Sequence, residues 1–143
     1  MQRFKYLACA LALVAAPACG SSDTLTTPTQ TNNVTIDFTD ATNGPLTQNG
    51  SQTFQFAVLA AGQVSATLVD LEPDGPNSIV VGMSLGNMNS TGACATAVSN
   101  DHVLKSSFVA ANATGAGTLC VRIYDPLGTL PRPQTFDILV SHP

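Results

Sequence analysis

The sequence predicts an all-β domain, an antiparallel two-sheet sandwich or jelly roll of about eight strands. Three observations favour this fold class. Short segments in which apolar and polar residues alternate recur along the chain, separated by clusters of glycine, proline, asparagine and aspartate. These segments follow one another at intervals of roughly ten to fifteen residues. Beyond position 33, no window of helical length carries an apolar stripe with a 3.6-residue period.

The clearest predicted strand lies between Gly115 and Asp125. Two glycines open it as a turn, and the residues that follow alternate between two faces. One face carries leucine, valine and isoleucine, whereas the opposite face carries Cys120, Arg122 and Tyr124. The Asp-Pro pair at its end predicts a stop, because proline cannot donate a hydrogen bond to a strand ladder.

The other predicted strands show the same alternation. In chain order they centre on the segments 34–38, 53–58, 64–68, 79–85, 93–98, 104–108 and 136–140. A change of phase near 69–71 predicts a β-bulge. The expected core residues are Phe54, Phe56, Leu68, Val81, Met83, Leu85, Phe108, Val121, Ile123, Phe136, Ile138 and Val140.

Residues 1–18 have the organisation of a secretory signal peptide. Arg3 and Lys5 precede an uncharged apolar run, and small residues lie just before Cys19. The apolar run is shorter than the roughly 20 residues that a membrane-spanning helix requires. The sequence Ala-Pro-Ala-Cys at 16–19 resembles the lipobox of bacterial lipoproteins. This resemblance implies cleavage before Cys19 and attachment of lipid to it. An ordinary signal peptide cut after Ala18 is the alternative.

The net charge of the processed chain limits the classes of molecule that it could bind. All nine acidic residues follow position 18, against three basic residues, Lys105, Arg122 and Arg132, so the processed chain carries a net charge of −6. Such a chain has no field that attracts nucleic acid and no basic cluster for anionic lipid. We therefore expect attachment to the membrane through covalent lipid only, at the bacterial cell envelope and on the outer membrane.

The processed chain divides into two parts. Residues 19–33 are rich in threonine and serine and nearly devoid of apolar side chains. Such a segment buries too little surface to offset its ordering entropy, which predicts a flexible tether. A first strand beginning at Leu25 is the alternative. Residues 34–143 then form the β-sandwich domain.

Cysteine usage agrees with export. Cys9 is removed with the signal and Cys19 is the lipid site, which leaves Cys94 and Cys120 to pair in an oxidising compartment. A bridge between them would restrict the unfolded chain by roughly 3.5 kcal/mol in the loop-entropy model. Two thiols without a histidine pair do not complete a tetrahedral metal site, so we expect no metal here.

Part of the chain is similar to a known family of domains. The likeness rests on the order of the segments Phe54–Phe56, 62–68, 81–86, Cys94, 117–125 and 136–140. Together these resemble the bacterial pre-peptidase C-terminal domain and its relatives in small exported lipoproteins, over roughly residues 38–143. The resemblance implies a compact β-sandwich, usually accessory to secreted enzymes, with some members binding polymers or calcium. No peptidase accompanies the domain in this chain, and no functional residue of the family transfers to it.

Few residues suggest catalysis or cofactor chemistry. His102 lies in a predicted turn and His142 near the last residue, and neither belongs to a nucleophile or metal motif. Asp101 and His102 could form half of a catalytic pair, but a polar turn is the favoured interpretation. We therefore expect no catalytic residue and no cofactor. The alternative is an exported hydrolase, or an accessory subunit of a secreted enzyme, with an unrecognised site.

Two acidic bends raise the question of calcium, which takes closely spaced oxygen ligands. One bend holds Asp37, Asp40 and Asn43, and the other holds Glu72, Asp74 and Asn77. These residue types also dominate ordinary turns, and their spacing matches no calcium loop.

The sequence offers one candidate contact patch. Sugar-binding jelly rolls usually stack their ligands on exposed tryptophan or tyrosine, and the processed chain has only Tyr124. Arg122 lies on the same strand face as Tyr124, and the two could contact a ligand, although an ordinary solvent face or a paired edge is the favoured interpretation. We expect a non-catalytic binding or structural module whose partner is an envelope protein or polymer.

Overall fold

The computed structural model describes residues 33–73 and 79–143. The predicted signal peptide, the lipid site Cys19 and the tether up to residue 32 lie outside the described residues. Asp74 and Asn77 of the second acidic bend also lie outside them.

Eight strands and one short helix make up the described chain, since each alternating segment of the sequence becomes a strand. Their bounds are β1 Val34–Thr39, α1 Asp40–Asn43, β2 Ser51–Val58, β3 Gly62–Glu72, β4 Val81–Met88, β5 Cys94–Val103, β6 Phe108–Ala113, β7 Gly117–Tyr124 and β8 Thr135–His142. The helix is a single turn between β1 and β2.

The strands form two antiparallel four-stranded sheets, as the sequence predicts. One has the order β1-β8-β3-β6 and is called the β8 sheet here, and the other has the order β2-β7-β4-β5 and is called the β7 sheet. Consecutive strands mostly alternate between the sheets, which is the connectivity of a jelly roll. The predicted bulge is present as a register shift on β3 between Leu68 and Asp70.

The core lies between the inner faces of the two sheets and contains eleven of the twelve residues predicted for it. A group of aromatic rings fills the side where β1 approaches β2. The rings of Phe38 and Phe54 stack with centroids 5.0 Å apart, and Phe136 meets Phe54 edge-on at 5.8 Å. Aromatic side chains bury the largest areas of any residue type, so this group contributes strongly to stability.

Phe108 is the exception, and its assignment to the core is wrong. Its side chain is 63% exposed on the outer face of the β8 sheet. The turn predicted around His102 does not form, because β5 continues to Val103, which is fully buried. The chain turns later, through Ser106 with a positive φ of 66°. This turn sets the phase of β6 so that Val109 points inward in place of Phe108.

Among the residues that the structure describes, no helix has both the length and the apolar character needed to cross a membrane.

Candidate functional site

The predicted pair Arg122 and Tyr124 lies on the outer face of the β7 sheet. Three rows of cross-strand neighbours cross this face, and Arg122 belongs to the middle one. Arg122 on β7 is opposite Thr53 on β2 and Ser84 on β4. Ser84 is in turn opposite Ser99 on β5. Residues opposite each other on one sheet face have Cβ atoms about 4.5–5.5 Å apart. The row therefore places one guanidinium among three hydroxyl-bearing side chains.

The second row is centred on Tyr124, which is opposite Gly82. A Cβ atom at Gly82 would overlap the Tyr124 ring, so the ring covers the space that a side chain would need. The Tyr124 hydroxyl donates a hydrogen bond to Oδ1 of Asp101 on β5. Burial raises the pKa of Tyr124, and the Asp101 carboxylate raises it further. The tyrosine thus links β7 to β5 across the intervening strand β4.

The third row is centred on Cys120, which the predicted disulfide links to β5, and the structure confirms this disulfide. Cys94 on β5 and Cys120 on β7 are bonded, with Cα atoms 5.9 Å apart. Cys120 is opposite Gly86, and the backbone of Ala95 occupies the space where Gly86 would carry a side chain. The bridge lies on the outer face, away from the core, as expected from the position of Cys120 opposite the apolar face.

These two links enclose Ser84, which sequence reasoning did not single out. Its side chain is 1% exposed, and its Oγ atom has no hydrogen-bond partner among the residues described. A buried hydroxyl without a partner costs free energy, so such groups are rare in folded proteins. Ser84 lies between the Tyr124–Asp101 link on one side and the disulfide on the other.

Arg122 is the charged member of this face. Its Cζ atom is 5.3 Å from the centroid of the Tyr124 ring, within the range of a cation–π interaction. In the part of the chain that the structure describes, the guanidinium has no ion-pair partner. A planar group with five N–H donors is thereby held half-buried and available to acceptor oxygens.

A groove of about 530 Å³ follows the β2 edge of the same sheet. It begins at Thr53, the neighbour of Arg122, and its wall includes Gln55, Asn43 and the carboxylate-bearing Asp37. The stacked rings of Phe38 and Phe54 line its apolar side. The groove combines hydrogen-bonding side chains with apolar surface, which is the composition of ligand sites in general.

The histidines do not complete a catalytic arrangement with the residues described. Asp101 accepts its hydrogen bond from Tyr124, and the imidazole of the exposed His102 makes no hydrogen bond among them. His142 is buried at an inner position of β8, with its ring 5.3 Å from that of Phe56. Its Nδ1 lies 3.1 Å from the carbonyl oxygen of Pro143.

The acidic residues that the structure describes do not assemble into a cation site. Within residues 33–73 and 79–143, no group of three or more histidine, cysteine, aspartate or glutamate side chains could hold a metal ion. At the first bend, Asp40 and Asn43 begin and end the helix α1.

A sequence signal for the missed residues does exist. Gly82, Ser84 and Gly86 alternate with large apolar residues along β4, so one face of this strand is apolar and the other is small. Small outward residues on a central strand leave room for side chains of neighbouring strands to lie across it. All residues from Val81 to Gly86 are consequently buried, on both faces of the sheet.

Comparison with family models finds no match, and comparison with curated proteins finds no similar chain.

Proposed function

We propose that this protein is a bacterial envelope lipoprotein whose jelly roll is a non-catalytic binding or structural module. The lipobox-like residues 16–19 and the apolar run before them support the anchor, with Cys19 as the site of lipid attachment. The disulfide between Cys94 and Cys120 agrees with an oxidising compartment. The architecture agrees with the resemblance to the pre-peptidase C-terminal domain, but a fold by itself names no function.

We propose further that the outer face of the β7 sheet contacts the partner, through Arg122 and the groove that begins at Thr53. The observation that supports this is the half-buried Arg122 guanidinium, held over Tyr124 without an ion-pair partner among the residues described. Its N–H groups can donate hydrogen bonds to acceptor oxygens. The partner is therefore an envelope protein or polymer that presents carboxylate or hydroxyl oxygens to Arg122.

The anchor is tested by replacing Cys19 with serine. Cells that express either form are extracted with a detergent that separates into two phases. The parent protein should enter the detergent phase, because each buried methylene adds about 0.8 kcal/mol and lipoproteins carry at least two acyl chains. Equal partition of the parent and Cys19→Ser into the aqueous phase would contradict the anchor.

The contact face is tested by cross-linking in intact envelopes, followed by capture of the protein and identification of what it carries. Arg122→Ala should lose most of the captured partner. Lys105→Ala is the matched control, because it removes the same charge from the other side of the molecule, where Lys105 pairs with Asp70. Equal capture by the parent, Arg122→Ala and Lys105→Ala would rule out the face as the contact site.

The non-catalytic part of the proposal has its own test. The purified protein is screened against esterase, glycosidase and peptidase substrates, beside alanine variants of Asp101, His102 and Arg122. No turnover is expected from any of the four proteins. Turnover by the parent that disappears in one of the variants would favour the alternative, an exported hydrolase.

A further inference from the structure

A second cavity is a cleft at one end of the sandwich, open to solvent and away from the face of Arg122. It has a volume of about 190 Å³ and opens between the edge strands β5 and β6. The turn from Thr114 to Ala116, which joins β6 to β7, lies at one end of it. The apolar part of its wall is formed by Val64, Leu85, Leu119, Ala97, Ala111 and Ala113.

The cavity exists because the inward side chains of β6 become smaller towards this end of the molecule. The inward positions of β6 change from Val109 to Ala111 and then Ala113, so the side chains become shorter along the strand. Ala111 is opposite Val64 within the β8 sheet, and across the core the wall is formed by Leu85 and Leu119. Protein interiors are normally filled to near crystal density, so a space of this size is a distinct feature.

The residues around the cavity determine which kind of ligand it can bind. No charged side chain borders the cavity, and its mouth carries Asn87 and Asn112. Asn87 is opposite Leu119 and therefore lies on the inner side of the β7 sheet. Its side-chain amide makes no hydrogen bond to the residues described, so it is available as a donor and as an acceptor. An engineered apolar cavity of about 150 Å³ in another protein binds benzene, which sets the scale for a ligand here.

We propose that this cavity binds a small uncharged amphiphile, an apolar ring of about the size of benzene that bears one hydrogen-bonding group. The ring lies between the sheets against Leu85 and Leu119, and the polar group meets the amide of Asn87 at the mouth. Charged analogues are excluded, because the cavity offers no opposite charge to offset the loss of hydration. The site is independent of the proposed envelope contact, since it uses the inner face of the β7 sheet.

The test is a titration of the isotope-labelled full chain, followed by backbone amide resonances. Benzyl alcohol is the probe, and benzoate is its charged analogue. Benzyl alcohol should cause saturable shifts at Val64, Ala111 and Leu119, whereas benzoate should bind at least tenfold more weakly. Absence of saturation, shifts confined to other parts of the molecule, or equal binding of the two probes would overturn the proposal.

A pair of substitutions on β6 locates the site. Ala111→Leu adds a side chain at an inward position and should weaken benzyl alcohol binding at least tenfold. Ala110→Leu makes the same change one residue earlier, where the side chain points outward, and should leave binding unchanged. Equal effects of the two substitutions would contradict binding in the cavity.

The proposed contact between the ligand's polar group and Asn87 is tested separately. This experiment decides whether the proposal holds if Ala111→Leu fails to fold. Asn87→Leu removes the amide from the exposed mouth of the cavity. It should weaken benzyl alcohol binding and leave the binding of benzene, which has no polar group, within twofold of the parent. Unchanged binding of benzyl alcohol would show that Asn87 has no part in recognition and would overturn the proposed orientation.

Discussion

The ring of Tyr124 covers the Cα atom of Gly82 on the neighbouring strand. From this position the Tyr124 hydroxyl reaches Asp101 on the strand beyond, so one side chain connects three strands of the β7 sheet. The arrangement requires a residue without a Cβ atom at position 82. Gly82 therefore allows the Tyr124 ring to occupy this position, and the ring in turn positions the Arg122 guanidinium.

Replacing Gly82 with alanine should lower the free energy of unfolding by about 1–3 kcal/mol, the usual cost of overpacking. The new Cβ atom would displace the Tyr124 ring and break its hydrogen bond to Asp101. Urea unfolding measures the loss. Gly117→Ala is the control, because a Cβ atom there meets nothing within 4 Å, and it should change stability by less than about 0.5 kcal/mol. Similar losses from both variants would contradict the role assigned to the Tyr124 ring.

The disulfide gives a second prediction. Replacing Cys94 and Cys120 together with alanine should lower the free energy of unfolding by roughly 3.5 kcal/mol in the loop-entropy model. The bridge spans 26 positions of the sequence, and removing it frees the unfolded chain. Unfolding curves with and without reductant check this. Reductant should destabilise the parent by a similar amount and leave the double variant unchanged. A parent protein that is insensitive to reductant would count against the bridge as a stabilising element.

The sequence predicted the sheets better than it predicted their surfaces. Alternation of apolar residues determines which face of a strand is buried, and eleven of twelve core residues follow from it. Alternation assigned Phe108 to the wrong face, because the position of a turn decides the phase of the next strand. The turn at Ser106 has no strong signal, whereas the asparagine and aspartate at 100 and 101 resemble a turn but lie within β5.

The candidate site was predicted only in part, for a related reason. Arg122 and Tyr124 were found because their own strand shows that they share a face. Ser84 and Asp101 lie on other strands, and their proximity depends on registers between segments far apart in the sequence. Local patterns carry no information on such registers. The small outward residues of β4 indicate that this face can be covered, but the side chains that cover Ser84, and the cavity beside Ala111, could be recognised only in the assembled sheets.

Asp137 should destabilise the protein at neutral pH. Burial raises its pKa, and the nearby carboxylates of Asp37 and Asp70 raise it further. Asp70 is directly opposite it in the β8 sheet, and Oδ1 of Asp137 is buried without a partner among the residues described. Asp137→Asn should raise the free energy of unfolding at pH 7 by about 0.2–1 kcal/mol, since like charges opposite each other are unfavourable.

The raised pKa of Asp137 determines how its contribution to the free energy of unfolding changes with pH. Because the pKa of Asp137 is higher in the folded state, the folded state binds the proton more tightly than the unfolded state does. Its contribution to stability therefore rises as the pH falls through the folded-state pKa. Asp137→Asn should remove this rise, and Asp37→Asn should lower the pKa of Asp137, as measured from its side-chain carboxyl resonance. A carboxyl titration unchanged by Asp37→Asn would contradict the assigned cause.

Asp125 should contribute to stability with the opposite pH dependence. Its carboxylate accepts hydrogen bonds from four backbone N–H groups, at distances of 3.0–3.3 Å, and so holds the loop after β7 in place. Burial alone would raise the pKa of Asp125, but these bonds outweigh it and the pKa is lowered. Oδ2 of Asp125 accepts hydrogen bonds from the backbone N–H groups of Asn49 and Leu130. An asparagine at position 125 in the same orientation would have its NH₂ group there, which cannot accept these bonds. Asp125→Asn should therefore lower the free energy of unfolding by about 1.5–3 kcal/mol at pH 7.

Because the pKa of Asp125 is lower in the folded state, its carboxylate is protonated at a higher pH in the unfolded state than in the folded state. The stabilisation is complete above the ordinary aspartate pKa, about 3.9, and is lost as the pH falls from there through the lower folded-state value. Urea unfolding of the parent and of Asp125→Asn, measured between pH 2 and pH 7, checks this. The difference between the two proteins should be constant from pH 5 to pH 7 and should shrink below pH 4. Parallel curves over the whole range would show that the four hydrogen bonds do not depend on the charge of Asp125.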